Sequence, residues 1–450
     1  MTDFLIKRLP YDLSSHAGLA FIGKYLKRIN TNAVIDPAFP VRSGIANSDI
    51  VKSYLGLLCL GKNDFDAIEN FRGNAFFMRA QAVPSSPTLR QRLDTHAGDW
   101  FELAARINQA LLGSRIEGRA IDFGALPCGY TPVDLDTFAM HNSDTQKELV
   151  GRTYAGVDGY CPLAVYLGRL GYCLELALRP GVQHSACESE YNLERALPLA
   201  ASLVSGPLLV RADAGFCSLK LMREICAQGA ACGRAMALVI KMNPRQPRVA
   251  LVAAATVVDA VTARPTLRPG KRECVWQEGL DLVDVGNPAN PARRVYRLTE
   301  RTIDKHGNAL LLPEYVLEGW TTTLPGRFSK AEIIALYADH ATHEQFHAEF
   351  KSDMDLERLP SGKFATNYLV CRLAVVAMNL LRLIGQNTLN EPDAPVRHPA
   401  QRRRIKTVLH EMMHKAARMI RHAGRWVLGL GANDSGFAVF DRHYGQLRTA

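Results

Sequence analysis

Three acidic residues, Asp136, Asp213 and Glu344, stand where carboxylates can serve phosphoryl chemistry. Glu344 lies in Tyr337-Ala-Asp-His340-Ala-Thr-His-Glu344-Gln-Phe-His-Ala-Glu-Phe-Lys351. No Pro or Gly interrupts this stretch and Ser329 upstream suits an N-cap, so it predicts a helix. At about 100° per residue, Tyr337, His340, Glu344 and Lys351 fall within roughly 60° of one another. Phe346, Phe350 and Leu336 take another face, and Glu349 lies about 140° from Glu344. Such a helix can present a carboxylate to a metal, and a phenol and cations to a phosphate. The plain alternative is an amphipathic helix with a solvated face.

Asp134 and Asp136 alternate with Val133, Leu135 and Phe138 in a predicted strand over 130–140. Asp213 ends a second, apolar strand, Pro207-Leu-Leu-Val-Arg211. If the two strands are neighbours, their carboxylates meet at the sheet centre and repel unless a cation lies between them. Glu344, from a helix laid across the sheet, would add a third hard oxygen donor, a set suited to magnesium or manganese. Two such metals about 3.5–4 Å apart activate the attacking oxygen and stabilise the leaving one. The plain readings are a strand-edge carboxylate for Asp136 and an N-cap before Phe216 for Asp213.

The scaffold for these groups reads as several regions. Residues 1–115 are predicted helical. Ser48 suits the start of a helix through Ile50, Tyr54, Leu57 and Leu58, and Ser86-Pro87 starts another carrying Leu89, Leu93, Trp100, Leu103, Ile107 and Leu111. Arg90 and Arg92 in its first turns suit a helix-turn-helix-like contact with DNA. From 116 to 243 the order is three strands, helix, strand, helix, strand. Residues 244–326, with Pro244, Pro247, Pro265, Pro269, Pro288, Pro291 and Pro313, read as a β-rich insertion. The Glu344 helix and a long apolar helix occupy 327–390. A basic helix is predicted over 401–428, within a helical region 391–450 that carries Arg402, Arg403 and Arg404 as further DNA contacts.

The chain has 450 residues and a net charge of +10, which points to an acidic partner such as nucleic acid. Its ten cysteines contain no Cys-x-x-Cys, so reduced thiols are expected rather than a disulfide frame or zinc site. The first residues lack a signal-peptide core, and the most apolar segment, 368–384, contains Arg372, Asn379 and Arg382. A buried core helix, no membrane span and a cytoplasmic, nucleoid-associated location are the expectation.

Three of these motifs carry a family resemblance. Leu-Val-Arg-Ala-Asp213-Ala-Gly-Phe resembles the second-aspartate motif of bacterial insertion-sequence transposases, and Val-Asp134-Leu-Asp136-Thr137 with His141-Asn142 resembles the first. Tyr337, His340, Glu344 and Lys351 match the spacing of the Y-(2)-R-(3)-E-(6)-K signature of one large DDE transposase group, with His340 in place of Arg. Asp353 and Leu359-Pro-Ser-Gly-Lys-Phe resemble the residues after that glutamate in the subgroup numbered thirteen-eighty. The resemblance implies an α/β, ribonuclease-H-like catalytic core split by the β-rich insertion, flanked by helical N-terminal and C-terminal regions. It implies that Asp136, preferred over Asp134 because Thr137 comes next, binds Mg2+ or Mn2+ together with Asp213 and Glu344. Hydrolysis at the element ends would precede attack of the freed 3′-hydroxyl on target DNA, with Tyr337, His340 and Lys351 at DNA phosphates. Terminal inverted repeats and target DNA are the implied partners, and two ends imply a homodimer in the working complex. A DNA-binding relic and a nuclease without strand transfer are the alternatives.

Two further features point elsewhere and are weaker. His410-Glu411-Met412-Met413-His414 has the zinc-protease spacing, but it lies in a run dense in arginine and lysine with no evident third ligand. Trp276, in the insertion, reads as a core residue before a stacking platform for DNA.

Overall fold

The computed structural model describes residues 3, 5–8, 10–72, 82–242, 264–265, 269–279, 285 and 291–448. Its amino-terminal helices are α1 (Leu19–Arg28), α2 (Asn47–Leu58), α3 (Ser86–Thr95) and α4 (Trp100–Leu112). Ser48 does not cap α2; the Asp36 carboxylate instead accepts its N–H at 2.9 Å and its hydroxyl at 2.8 Å. Ser85 rather than Ser86 caps α3. The helix predicted across 86–111 breaks after Thr95, where the His96 ring stacks on Trp100 with centroids 4.8 Å apart.

The predicted alternation then appears: β1 (Thr131–Thr137), β2 (Leu163–Leu167), β3 (Tyr172–Ala177), α5 (Ser189–Leu203), β4 (Leu208–Ala212), α6 (Leu219–Ala231) and β5 (Met236–Met242). In the sheet these strands lie in the order β3-β2-β1-β4-β5, with β1, β4 and β5 parallel and β2 antiparallel to both its neighbours. Both faces of β1 and β4 are covered, so their sequences are apolar runs in which a charged residue needs a reason.

The insertion does not stand apart. Residues 243–263, with Pro244 and Pro247, lie outside the described residues, as does Pro288. Beyond them β6 (Lys271–Gly279), β7 (Arg293–Ile303) and β8 (Ala309–Thr322) prolong the same sheet. The end of β8 pairs with β5, Val239 opposite Thr322, and with β7 on its other side; with the two-residue strand Arg264–Pro265 beside β6, the sheet has nine strands among the described residues. An open edge on β5 would leave a row of unsatisfied backbone groups, and β8 satisfies them. The boundaries drawn at 244 and 326 therefore cut through one sheet.

After the sheet come α7 (Lys330–Ala338), a 3-10 turn (Asp339–Thr342), α8 (His343–Ala348), a π turn (Glu349–Asp353) and α9 (Phe364–Thr388). By length and composition α9 would be able to cross a membrane, yet 94% of its apolar window is buried inside the protein. It packs against α2, α3, α4 and β3. One apolar cluster extends from Ala17 to Leu447, so the amino-terminal helices share a core with the sheet.

The basic helix expected over 401–428 does not form. A single turn (Ile405–Val408) and a π turn (Leu409–Met413) give way to a hairpin of β9 (Ala417–His422) and β10 (Arg425–Leu430), and then to α10 (Phe437–Gln446). Ala423 and Gly424 both have positive φ, 46° and 74°, as a tight two-residue hairpin turn needs. On β9, Arg418 and Ala417 pair with Leu13 and Ser14, bringing the two ends of the chain together. All ten cysteines are free thiols.

His443 of α10 is fully buried, its Nε2 3.1 Å from the Tyr25 hydroxyl of α1. Burial pulls its pKa from 6.5 down to about 4. The unfolded chain therefore takes up this proton first. The stability His443 contributes is complete above pH 6.5 and is lost as pH falls through 4. The thermal midpoint is expected to drop less between pH 7 and pH 4 in His443→Gln than in the parent; equal drops in thermal melts would remove this residue from the acid response.

Candidate active site

Asp136 and Asp213 come from neighbouring parallel strands. Ala212 of β4 lies opposite Leu135 of β1, so the next pair in register is Asp213 and Asp136, with Asp213 still extended at φ −76° and ψ −179°. Each carboxylate is oriented by backbone: Asp136 Oδ1 accepts from Thr137 N at 2.7 Å, and Asp213 Oδ1 from Gly215 N at 2.9 Å. The second bond is the N-cap that the plain reading of Asp213 predicts, over a short 3-10 turn. A Cβ on Gly215 would lie 3.1 Å from that same Asp213 oxygen, close enough to press on the carboxylate.

Two phenols face the pair. Burial first, and then the charges of Asp136 and Asp213, push the Tyr154 hydroxyl up to about 12 and raise that of Tyr337 as well. Both tyrosines lie close enough to feel the two aspartates, which the strand register sets side by side. Tyr154 also donates to Thr137 O at 3.1 Å. Spacing gave no signal for Tyr154, which lies on a loop between short strands.

Asp134 has a different occupation. It is 2% exposed and receives Arg211 of β4 through two bonds, Nε to Oδ1 at 2.7 Å and Nη2 to Oδ2 at 2.8 Å. Arg211 Nη1 also reaches Leu336 O at 2.7 Å and Asp339 at 3.0 Å. Asp134 is thus part of a buried ion pair that fixes the end of α7 to the sheet, leaving Asp136 at the open position.

The segment from α7 to the π turn crosses the sheet. Tyr337 lies beside Trp320 of β8, centroids 6.0 Å apart, and beneath Lys241 of β5. His340 Nε2 lies 3.9 Å from Asp134, and His347 Nδ1 3.8 Å from Asp136 while its ring stacks on Phe138. Phe346 packs on Tyr166 of β2, and a Cβ on Gly171 would collide with its ring at 2.4 Å.

The single helical face predicted for Tyr337, His340, Glu344 and Lys351 does not form. On an unbroken helix Glu344 would share a face with His340 and His347. The 3-10 turn winds more tightly than an α-helix and the π turn less so, and the register is lost on both sides of α8. His340, expected at DNA, is 2% exposed. Glu344 is exposed to solvent. His347, which sequence reasoning passed over, is the segment's residue against Asp136. Lys351 pairs with Glu357 at 3.1 Å, and Glu357 accepts from His141 N at 2.7 Å. Asn142 accepts from Leu359 N at 3.3 Å, so the Leu359-Pro-Ser-Gly-Lys stretch and the loop after β1 hold each other.

The arginines expected at DNA are largely committed inside the protein. Arg402 bonds to Glu349 at 2.7 Å and Arg404 doubly to Asp353 at 2.9 Å. Arg403 donates to the carbonyls of Leu389 and His398, both at 2.9 Å. These partners occupy the guanidinium donors, although the Arg404 side chain is still 53% exposed. Arg92 reaches Asn47 at 2.5 Å, whereas Arg90 is exposed with its guanidinium 5.6 Å from the Phe65 ring centre. Trp276 stacks on Tyr296 within the sheet, centroids 5.2 Å apart. The His410 and His414 ring centroids are 6.5 Å apart.

Two carboxylates set side by side fit a hard divalent cation held by oxygen. Glu344 is not gathered with them: among the described residues no three His, Cys, Asp or Glu side chains form a metal-sized group.

Among known proteins, a family model described as Transposase DDE domain group 1 matches residues 11–449. Among solved structures the chain is similar to piggyBac transposase in a synaptic complex with hairpin DNA, seen by cryo-EM, at 11% identity and a TM-score of 0.40, over 88% of this chain and 78% of that one. No curated protein matches. With the family match extending over nearly the whole sequence, and two aspartates meeting at adjacent strand ends, the chain belongs to the DDE transposases.

Proposed function

We propose that the protein is an insertion-sequence transposase of the bacterial Y-(2)-R-(3)-E-(6)-K group, thirteen-eighty subgroup, acting on terminal inverted repeats and on target DNA by cut-and-paste transposition. The observation that carries this is the register of β1 and β4, which aligns Asp136 with Asp213. The strand order β3-β2-β1-β4-β5 supports a ribonuclease-H-like core, here continued by the strands of the insertion rather than split by a detached body.

Asp136 and Asp213 would hold Mg2+, with Mn2+ able to substitute; Glu344, the third ligand that the family resemblance implies, lies apart from them on α8 and would have to be brought in for catalysis. The metal would supply an activated attacking oxygen and charge stabilisation for the leaving one. The chain's own residues do the rest. Thr137 N and Gly215 N hold the two aspartates in orientation. Tyr337 is a neutral donor for a scissile or flanking phosphate, whereas the Tyr154 hydroxyl is given to Thr137 O, and the Lys351 ammonium contributes positive charge. Arg211 and Asp134 keep β1, β4 and the end of α7 at fixed separation. Two ends cut in one complex call for a homodimer.

The test is cleavage of duplex DNA carrying the terminal repeats of the element, with Mg2+ or Mn2+. Wild type is expected to nick at the ends and yield joined products, and Glu344→Ala to lose both by about 10³-fold. The exposure of Glu344 favours one second reading, a DNA-binding relic. Wild type that binds the ends and never nicks them with either metal would establish that reading and end the first. Cleavage without joined products would point to a nuclease.

A further inference from the structure

The cations of this chain fall into two sets. Arg211, Arg372, Arg382, Arg402 and Arg404 are paired with buried carboxylates. Lys24 and Lys27 of α1, Arg421 and Arg425 of the carboxy-terminal hairpin, and Arg448 are not: among the described residues no carboxylate lies within ion-pair distance of them. Other cations share that state elsewhere on the surface, such as Arg90, but these five lie around one groove. A groove of about 1000 Å³ runs between α1, β10 and α10, lined by Lys24, Lys27 and Arg448 and by the aromatic rings of Trp426, Phe437 and Tyr444. Arg421 and Arg425 stand at the hairpin end beside it, Arg421 5.9 Å from the centre of the Trp426 ring. Trp426 is 44% and Phe437 51% exposed.

The lining holds one acid, Asp441, and a further lysine, Lys52, already bonded to Asp49 at 2.6 Å. Burial, and then Lys27 and Arg448, lower the pKa of Lys24, as expected where like charges crowd without a counterion. An apolar protein partner would leave that repulsion in place. A second copy of the chain, docked through the same face, would set these cations against themselves. A polyanion such as the phosphate backbone of DNA relieves it.

We propose that this groove, built from elements remote in sequence from the carboxylate site, is a second DNA-binding surface, with Lys24, Lys27 and Arg448 on backbone phosphates. The proposal rests on the transposase reading for its choice of DNA as the polyanion. It moves the contact away from the arginines at 402–404, which sequence alone favoured.

The probe is a random-sequence 30-bp duplex bound to the full chain, with affinity followed by fluorescence anisotropy over a range of salt. Each phosphate contact contributes about 0.9 to the slope of log affinity against log salt. The variant Lys24→Ala/Lys27→Ala/Arg448→Ala is expected to lower that slope by roughly 2.7 and to weaken binding about 10²-fold at 0.1 M salt, with an unchanged melting temperature. All three residues are at least partly exposed, so folding is not at stake. A milder variant, Lys27→Gln, should lower the slope by about 0.9. Metal-dependent nicking at saturating DNA is measured in parallel. Unchanged slope and affinity in the triple variant, with nicking intact in wild type, would overturn the groove and leave the transposase reading standing. Wild type that neither binds nor nicks would sink both. A dimer broken by Trp426→Ala, with DNA affinity untouched by the triple variant, would make the groove an interface between copies and overturn the proposal.

Discussion

Asp136→Asn is expected to lose metal-dependent DNA cleavage by about 10³-fold, or about 4 kcal/mol of transition-state stabilisation, while melting at the parent temperature. The substitution keeps the side chain's volume and an oxygen able to accept from Thr137 N at its present 2.7 Å. It removes the charge that would hold a metal opposite Asp213. Asp134→Asn, two residues earlier on the same strand, is expected to behave in the opposite way. Asp134 is enclosed by a guanidinium that is itself 1% exposed, and Asn would keep one acceptor oxygen but turn the other into an NH2 facing Arg211, leaving the partly exposed Asp339 as its charged partner. Breaking one side of such a pair costs about 3–5 kcal/mol. Its signature is therefore a lowered melting temperature, with cleavage by the folded fraction preserved. Nicking assays and thermal melts on the two variants separate the roles. An Asp134→Asn protein that melts normally and cannot cleave, beside an Asp136→Asn protein that cleaves, would reverse the assignment.

The two aspartates illustrate how far the sequence discloses the site. Alternation in 130–140 and the apolar run before Asp213 identify two strands, and the order of strands and helices from 131 to 242 comes from periodicity alone. These elements are legible because each is long, apolar and bounded by turn residues. Which of Asp134 and Asp136 pairs with Arg211 was also partly legible. Arg211 sits in an otherwise apolar strand, and a cation there requires a buried carboxylate on its neighbour. The Glu344 segment was less so. Helical spacing across 337–351 presumes one continuous winding, whereas buried charge decides the actual one. His340 settles beside Asp134 and Glu349 is drawn under α9, with the winding tightened into a 3-10 turn at the first and loosened into a π turn at the second. The carboxy-terminal hairpin escaped because Met, Ile, Leu and Arg spaced through 401–428 also fit a helix. Only the Ala423-Gly424 turn and pairing with residues 13–14, some 400 positions away in the chain, favour strands.

That drawing-in of Glu349 carries the largest expected loss of stability. Glu349 is 0% exposed and accepts from four donors: both terminal nitrogens of Arg382 on α9, Arg402 at 2.7 Å, and Ile405 N at 3.0 Å. It joins the π turn after α8 to the core helix and to the start of the carboxy-terminal region. Glu349→Ala leaves Arg382, 1% exposed, without its carboxylate, at a cost of about 3–5 kcal/mol in denaturant unfolding. Glu349→Leu/Arg382→Met removes the more deeply buried of the two stranded charges, Arg402 at 15% exposure having some access to solvent, and replaces both groups with apolar ones of similar bulk. It should recover much of the loss, because a buried pair contributes little beyond the desolvation it offsets. The two variants separate a structural clamp from an ordinary surface acid. An unfolding midpoint in Glu349→Ala equal to the parent's, or a double variant no better than the single one, would contradict the clamp. The double variant should also retain cleavage, since Glu349 lies beneath the segment rather than with the pair Asp136 and Asp213. Cleavage lost in a stably folded double variant would mean that this ion pair sets the position of Glu344 from below.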